Sequence, residues 1–394
     1  MEQGKPLAGF KVIDFSAVFA GPICTRFLLD CGADVIKIEP LRVGDMIRGV
    51  DGTTRVFAHF NAGKQSLALD LKQPEAQKLA LELIAGADVV VENFRPGVMS
   101  RFGLDYASIK DRHPELVYCS ISGYGQSGPF VDRAAFAPIV HAASGFDQVI
   151  AQAQEQGQEQ EQESAKPINW NIMVADILTG AYAFGAIQTA LLNRERNGYG
   201  DYLDVAMMDA MMLLIPAQVQ AAQMQEKPAI ARYCPIATSD GFVMACVISE
   251  KNLQGLCQAI DRPELLEDPR FVWGQRIANM RALIDEMETW SRHHTAAECE
   301  RILNDAGVPC SIYVSPDDLF SHPQVVARQS FTSVSDDVLG DFLIQNMPFK
   351  FTRFNVDAAK WAPRLGEHTS QVLSEQLKLD EEQVAQLRAR GVIG

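Results

Sequence analysis

The chain has 394 residues, of which 47% are hydrophobic and 22% charged, proportions of a globular protein and not of a fibrous or disordered one. At roughly 150 residues per domain the length accommodates two or three domains, each able to bury its own core. Lys plus Arg number 35 against 50 Asp plus Glu, and the formal net charge of −15 repels a phosphate backbone, which excludes nucleic acid as a general partner; an anionic small molecule needs a local convergence of cations.

The first half alternates strand-like and helix-like segments, the pattern of a mostly parallel α/β sheet. Residues 10–15 (FKVIDF) read as a strand leading into Ala20-Gly21-Pro22, where Pro22 suits the first turn of a helix that runs to about Cys31 and ends at Gly32. Residues 34–39 form a second strand, 75–85 a helix, 89–92 a third strand and 116–121 a fourth. A long helix over 177–193 and a strand over 202–205 precede a helical run over 207–225. Near Pro228 the character changes and a second domain begins. Thr238-Ser239-Asp240-Gly241 is a turn opening a β-like run at 242–248, followed by helices at 252–260 and 278–293 and one starting at Thr295, which with Glu298 makes a capping box. Residues 309–314 are β-like, and the tail returns to helix at 367–375 and 381–390. Residues 152–163 carry Gln at every even number and too little apolar surface to pack, so they read as a solvated flexible loop.

Eight cysteines show no C-x-x-C pair and no zinc-like spacing, and most lie in apolar runs, which fits reduced, buried thiols in a cytoplasm and no metal site. The N-terminus lacks the apolar core of a signal peptide. The longest apolar stretch, 177–192, is interrupted by Thr179, Gly180, Gly185 and Gln188 and is shorter than the ~20 residues of a membrane span, so it reads as a buried core helix with no membrane partner.

A dinucleotide site is a poor fit, although the second strand ends in the acidic Glu39. The turn after the first strand holds Gly21 alone, without the G-x-G-x-x-G spacing, and Pro22 removes one helix N-terminal amide. No G-x-S-x-G elbow occurs. His293, His294 and His322 sit where surface or cap histidines sit. The unusual residue is Asp176, set in IMVADIL, where apolar neighbours predict a buried carboxylate. It reads as the N-cap of the helix beginning at Ile177, and a partly desolvated carboxylate steadied by helix amides can also act as a nucleophile.

Val18-Phe19-Ala20-Gly21-Pro22, Val35-Ile36-Lys37-Ile38-Glu39, Val91-Glu92-Asn93-Phe94-Arg95-Pro96-Gly97, Gly123-Tyr124-Gly125, Ala175-Asp176, Gly307-Val308-Pro309 and Leu365-Gly366-Glu367-His368-Thr369 together resemble the class III CoA-transferases of the formyl-CoA transferase and CaiB/BaiF type, in order along nearly the whole chain. The resemblance implies an α/β fold with a Rossmann-like large domain built from 1–225 and the returning stretch 335–394, a smaller α+β domain at 226–334, and a homodimer of interlocked subunits. It implies coenzyme A or an acyl-CoA as substrate, a small carboxylic acid as partner and no permanently bound cofactor. The family's catalytic aspartate falls on Asp176, and its CoA contacts fall on Val18, Ala20, Leu69, Lys72, Asn93, Phe94 and Arg101. Pro40 occupies a position that is often Arg in the family, and Arg42, two residues on, joins Lys72 and Arg101 in a basic seat for the CoA phosphates. Phe19 replaces a Gln of formyl-CoA transferase, and the glycine-rich lid of the oxalate enzymes is missing around 233–240, which counts against oxalate.

The chemistry suits an aspartate, because moving CoA between acids without losing the thioester's energy requires an intermediate of comparable energy, and a carboxylate gives a mixed anhydride and then an aspartyl-CoA thioester. The resemblance implies acids of the oxalate, carnitine-type or short dicarboxylic kind, no residue of the sequence selects among them, and a short dicarboxylate with succinyl-CoA as donor is one such pair. The same fold hosts 2-methylacyl-CoA racemases, but their Gly-His-Asp base segment corresponds to Ala135-Phe136-Ala137, and His141, five residues beyond Phe136, reads as a helix-face residue. A non-catalytic acyl-CoA-binding protein would keep Lys72 and Arg101 with no reason to retain a buried Asp176.

Overall fold

In the computed structural model six strands form one parallel sheet: β1 (Lys11–Asp14), β2 (Asp34–Glu39), β3 (Gln65–Ala68), β4 (Val89–Glu92), β5 (Val117–Ser122) and β6 (Tyr202–Ala206), in the order β3-β2-β1-β4-β5-β6. The structure describes residues 4–49, 52–155, 166–226 and 233–394, the side chains of 153–155 apart. Adjacent strand residues point to opposite faces, so each apolar pair feeds two cores. Ile13, Ile36, Leu67, Val90 and Tyr118 face the helix Pro74–Ala85 and the C-terminal helices Thr369–Leu377 and Glu381–Ala389. Val12, Val35, Val89, Val91 and Val117 face the helices Ala20–Asp30 and Val174–Asn197.

The next strand in chain order after β2 is β3, so residues 89–92 are the fourth strand and not the third. β3 and the helix Arg55–Asn61 escape a reading of periodicity because each is short and carries polar residues among the apolar ones. The long helix spans Val174–Asn197, 24 residues, and by length and mean hydropathy alone it could cross a membrane. It is longer than its apolar stretch because it starts earlier, at Val174, and continues through the polar Asn193–Asn197 turn. Its Thr179, Gly180, Ala183, Ile187 and Leu191 are buried, and it packs on the helix Ala20–Asp30, as a core helix does.

Two compact units emerge, Met1–Ile215 with Ala327–Gly394, and Pro216–Val326. The divisions fall at 216 and 327, where the sequence places them at 226 and 335. An antiparallel hairpin, Phe331–Asp336 with Gly340–Gln345, explains the second difference: its Val334, Phe342 and Ile344 pack on Ala58 of the helix Arg55–Asn61 and on Ala62, the cap that follows it. The smaller unit contains the antiparallel strands Ile236–Ala237, Phe242–Ala245 and Cys310–Ile312, and its longer helices are Glu250–Ala259, Met280–Ser291 and Ala296–Asp305. The Thr295 and Glu298 capping box is formed there. Of the Gln/Glu-rich segment, 152–155 ends the helix Phe146–Glu155 and the remainder lies outside the described residues.

Candidate active site

In a doubly wound sheet the strand order reverses between two neighbouring strands, and the loops leaving their carboxyl ends diverge to leave a crevice. Here that point lies between β1 and β4, and a cavity of about 140 Å³ opens there. Its wall includes Ala17, Val18 and Ala20 after β1, Asn93 to Pro96 after β4, Ser122 to Tyr124 at the end of β5, and Asp176. The structure therefore brings together Asp176, Val18, Ala20, Asn93 and Phe94. Arg42, Lys72 and Arg101 are exposed, on segments following β2, β3 and β4, at the same edge of the sheet but outside the cavity wall. Leu69 is 1% exposed, packed in the core and bridged to Ile393, so its side chain offers no surface to a ligand.

Asp176 is not an N-cap. The cap position is Met173, which makes no side-chain capping bond, and Asp176 lies in the first helical turn. Its half-buried carboxylate instead accepts a hydrogen bond from the backbone N–H of Ala20, the first residue of the helix Ala20–Asp30. That amide is one of the donors a helix N-terminus leaves without an internal partner. Two helix N-termini thus converge on one carboxylate, and both favour its negative charge. Burial outweighs the Ala20 bond and raises its pKa from 3.8 to about 6.

The loop Ser16–Ala17–Val18, which leads to Ala20, is tied down at each residue. Ser16 N–H donates to Asp14 Oδ1 at 2.9 Å, and Ser16 O accepts from Lys37 Nζ at 2.6 Å. The Asn93 side chain both accepts from Ala17 N–H at 2.9 Å and donates to Ala17 O at 2.8 Å, so its amide is engaged by the loop. Val18 N–H donates to both carboxylate oxygens of Asp45 at 3.1 Å. Val18 has φ +69°, an unfavourable conformation for a β-branched residue that only its surroundings can hold. Asp45 is in turn ion-paired with Lys37 at 3.0 Å, both fully buried. Phe94 N–H donates to Glu92 Oε2 at 2.9 Å, and burial pushes the Glu92 carboxyl up to about 7.

His141, expected only as a helix-face residue, is 2% exposed and its Nε2 accepts the Ala175 N–H at 3.1 Å. It supplies from another helix the cap that Met173 does not. No histidine lines the cavity, and no cluster of His, Cys, Asp or Glu suited to a metal occurs among the described residues. All eight cysteines are free thiols.

Residues 7–369 match the model of CoA-transferase family III. The chain belongs to that family. It is 28% identical to human succinyl-CoA:glutarate CoA-transferase over 410 residues, covering 100% of this chain and 91% of the relative. It is 32% identical to succinate–glutarate CoA-transferase of Agrobacterium fabrum, covering 94% and 95%, and 30% identical to succinyl-CoA–D-citramalate CoA-transferase of Chloroflexus aurantiacus, covering 99% and 98%. Among solved structures, a CaiB/BaiF family protein from Brucella suis superposes with a TM-score of 0.78 at 30% identity, covering 95% of this chain and 100% of that one. Rv3272 from Mycobacterium tuberculosis superposes with a TM-score of 0.81 at 30% identity, covering 93% and 99%. This family III protein is accordingly a CoA-transferase with the α/β fold of its CaiB/BaiF neighbours, and its substrates are CoA thioesters and carboxylic acids.

Proposed function

We propose that this CoA-transferase moves CoA from succinyl-CoA, or a similar acyl-CoA, to a short dicarboxylic acid through covalent intermediates on Asp176. The observation that carries the reading is the Asp176 carboxylate, held by the Ala20 N–H on the wall of the cavity at the sheet's switch point. An Asp176 oxygen attacks the donor's thioester carbon, and collapse of the adduct expels CoA thiolate, leaving a mixed anhydride. The thiolate then attacks Cγ of Asp176 and expels the donor acid as its carboxylate, leaving an aspartyl-CoA thioester. The acceptor's carboxylate attacks that Cγ, releasing thiolate and forming a second anhydride. The thiolate attacks the acceptor's acyl carbon, giving the new acyl-CoA and restoring Asp176. At the two attacks on Asp176 Cγ the Ala20 N–H, preorganised by the pinned loop, faces the Asp176 oxygen on which charge gathers.

Val18, Ala20 and Phe94 would flank the pantetheine arm, with Asn93 acting through its hold on Ala17. Arg42, Lys72 and Arg101, none of them ion-paired among the described residues, would take the CoA phosphates. An interlocked homodimer with a cytoplasmic location, consistent with eight free thiols, completes the proposal. A racemase reading lacks a second base in the cavity. The test is to incubate the protein with succinyl-CoA, quench with borohydride and digest: reduction of an aspartyl thioester converts Asp176 to the alcohol, a mass change confined to its peptide. Turnover without any modification at Asp176 would refute the covalent route.

A further inference from the structure

A body of net charge −15 repels a dicarboxylate, and a double-displacement enzyme must hold the acyl groups of donor and acceptor in turn in one cavity. The distal carboxylate of such an acid therefore needs a cation on the wall that already holds Asp176. The wall carries two, Arg95 and Arg133. Neither is ion-paired among the described residues, unlike the buried Arg26 and Arg48, whose charges are matched by Asp30 and Glu39. Arg133 is also oriented: its guanidinium lies 3.5 Å from the centroid of the Phe130 ring, and Phe130 meets Tyr124, another wall residue, edge to face at 5.5 Å. A guanidinium stacked this way presents its planar fork of N–H donors edge-on, the geometry that a carboxylate accepts in two parallel hydrogen bonds.

Resting on the covalent reading above, we infer that Arg133 and Arg95 form the subsite for the distal carboxylate of the acyl group, making this a transferase selective for short dicarboxylates over monocarboxylates of the same chain length. Arg133 supplies the oriented contact, and Arg95, on the turn between β4 and the helix Val98–Arg101, supplies the second charge. Both side chains are exposed, so replacing them leaves the core intact.

The experiment compares glutarate with pentanoate, which carries a methyl group where glutarate has its second carboxylate, as acceptors for the native protein, Arg95→Gln, Arg133→Gln and Arg133→Lys, with melting temperature as the folding control. The native protein should prefer glutarate by at least tenfold in kcat/KM. Arg133→Gln and Arg95→Gln should each raise KM for glutarate about tenfold or more and leave pentanoate within about twofold, and Arg133→Lys should recover only part of the loss. Equal damage to both acids, an unchanged KM for glutarate, or a native preference for pentanoate overturns the subsite while leaving transfer through Asp176 standing. Failure of the native protein to transfer CoA to either acid, with no modification of Asp176 by succinyl-CoA, overturns the covalent reading and the subsite with it.

Discussion

A Cβ atom added to Gly180 would lie 2.5 Å from the carbonyl oxygen of Ala20, and 2.2 Å from Cγ2 of Ile23. Gly180 follows Asp176 by one helical turn, so the missing side chain is what lets the helix Val174–Asn197 approach the helix Ala20–Asp30 closely enough for Asp176 to accept the Ala20 amide. Gly180→Ala should lower stability by about 1 to 3 kcal/mol despite alanine's better helix propensity, and should reduce turnover by separating the two helix ends. Gly185 on the same helix has nothing within 4 Å of its Cβ direction and is exposed, so Gly185→Ala should raise stability by about 0.5 to 1 kcal/mol. Thermal unfolding of the two variants tests the contrast in sign; equal effects would mean that close approach at 180 is unimportant.

Asp176→Asn should make the protein more stable as it becomes inactive. Burial raises the Asp176 carboxyl from 3.8 to about 6. The native state thus holds this proton more tightly than the unfolded chain does, and ionisation costs the fold nothing below pH 3.8, progressively more up to about 6, and its full amount above. Removing the charge should therefore add on the order of 2 kcal/mol at neutral pH while transfer falls by orders of magnitude. In the native protein kcat/KM should fall as pH drops through about 6, because the nucleophile is the carboxylate. Unchanged stability in the Asn variant, measured by denaturant unfolding at pH 7, would contradict the desolvated setting.

The buried Lys37–Asp45 pair should matter to the loop as well as to the fold. Lys37→Met leaves the Asp45 carboxylate buried without its counter-ion and should cost about 3 to 5 kcal/mol. Combining it with Asp45→Asn removes the stranded charge and should recover most of that stability. Turnover should nevertheless stay depressed, since Val18 at φ +69° then loses the paired carboxylate that holds its N–H. A double variant regaining both stability and full turnover would reduce the pair to a packing element.

The buried strands β1, β2, β4 and β5 are legible in the sequence because each is built around Val and Ile with short turn signals beyond, and Asp176 stands out because a carboxylate interrupts an apolar run. What surrounds Asp176 is not legible. Lys37 and Lys64 look like solvated cations on local grounds, yet both are fully buried, and the partner of Lys64, Asp14, lies 50 residues away in sequence. The cap on the nucleophile's helix comes from His141, 34 residues earlier, so the usual search for Ser, Thr, Asp or Asn beside the first turn points wrongly to Asp176 itself. Arg95 sits inside a motif that is recognised as a whole, which hides that it forms no ion pair among the described residues. Pairing at long sequence separation decides the role of each of these residues, and no single-residue preference encodes it.

His141 gives the last test, since its ring does one thing that a residue of similar shape cannot. Its Nε2 accepts the Ala175 N–H, which makes it a neutral imidazole with its proton on Nδ1. Burial lowers its pKa below 6.5, against the pull of Asp147, so it remains an acceptor across the neutral range. His141→Phe preserves most of the volume beside Phe146 but leaves a buried amide without a partner, at a cost of about 1 to 3 kcal/mol. The first turn carrying Asp176 should loosen, so kcat should fall while KM for acyl-CoA, set at the cations along the sheet edge, stays near native. His141→Gln restores an acceptor oxygen and should recover both stability and kcat. The acid limb of the native pH profile, near 6, belongs to Asp176 and should persist in His141→Gln. Loss of that limb in the Gln variant would assign it to the imidazole, and a failure of Gln to outperform Phe would show that the bond to Ala175 does not position the nucleophile.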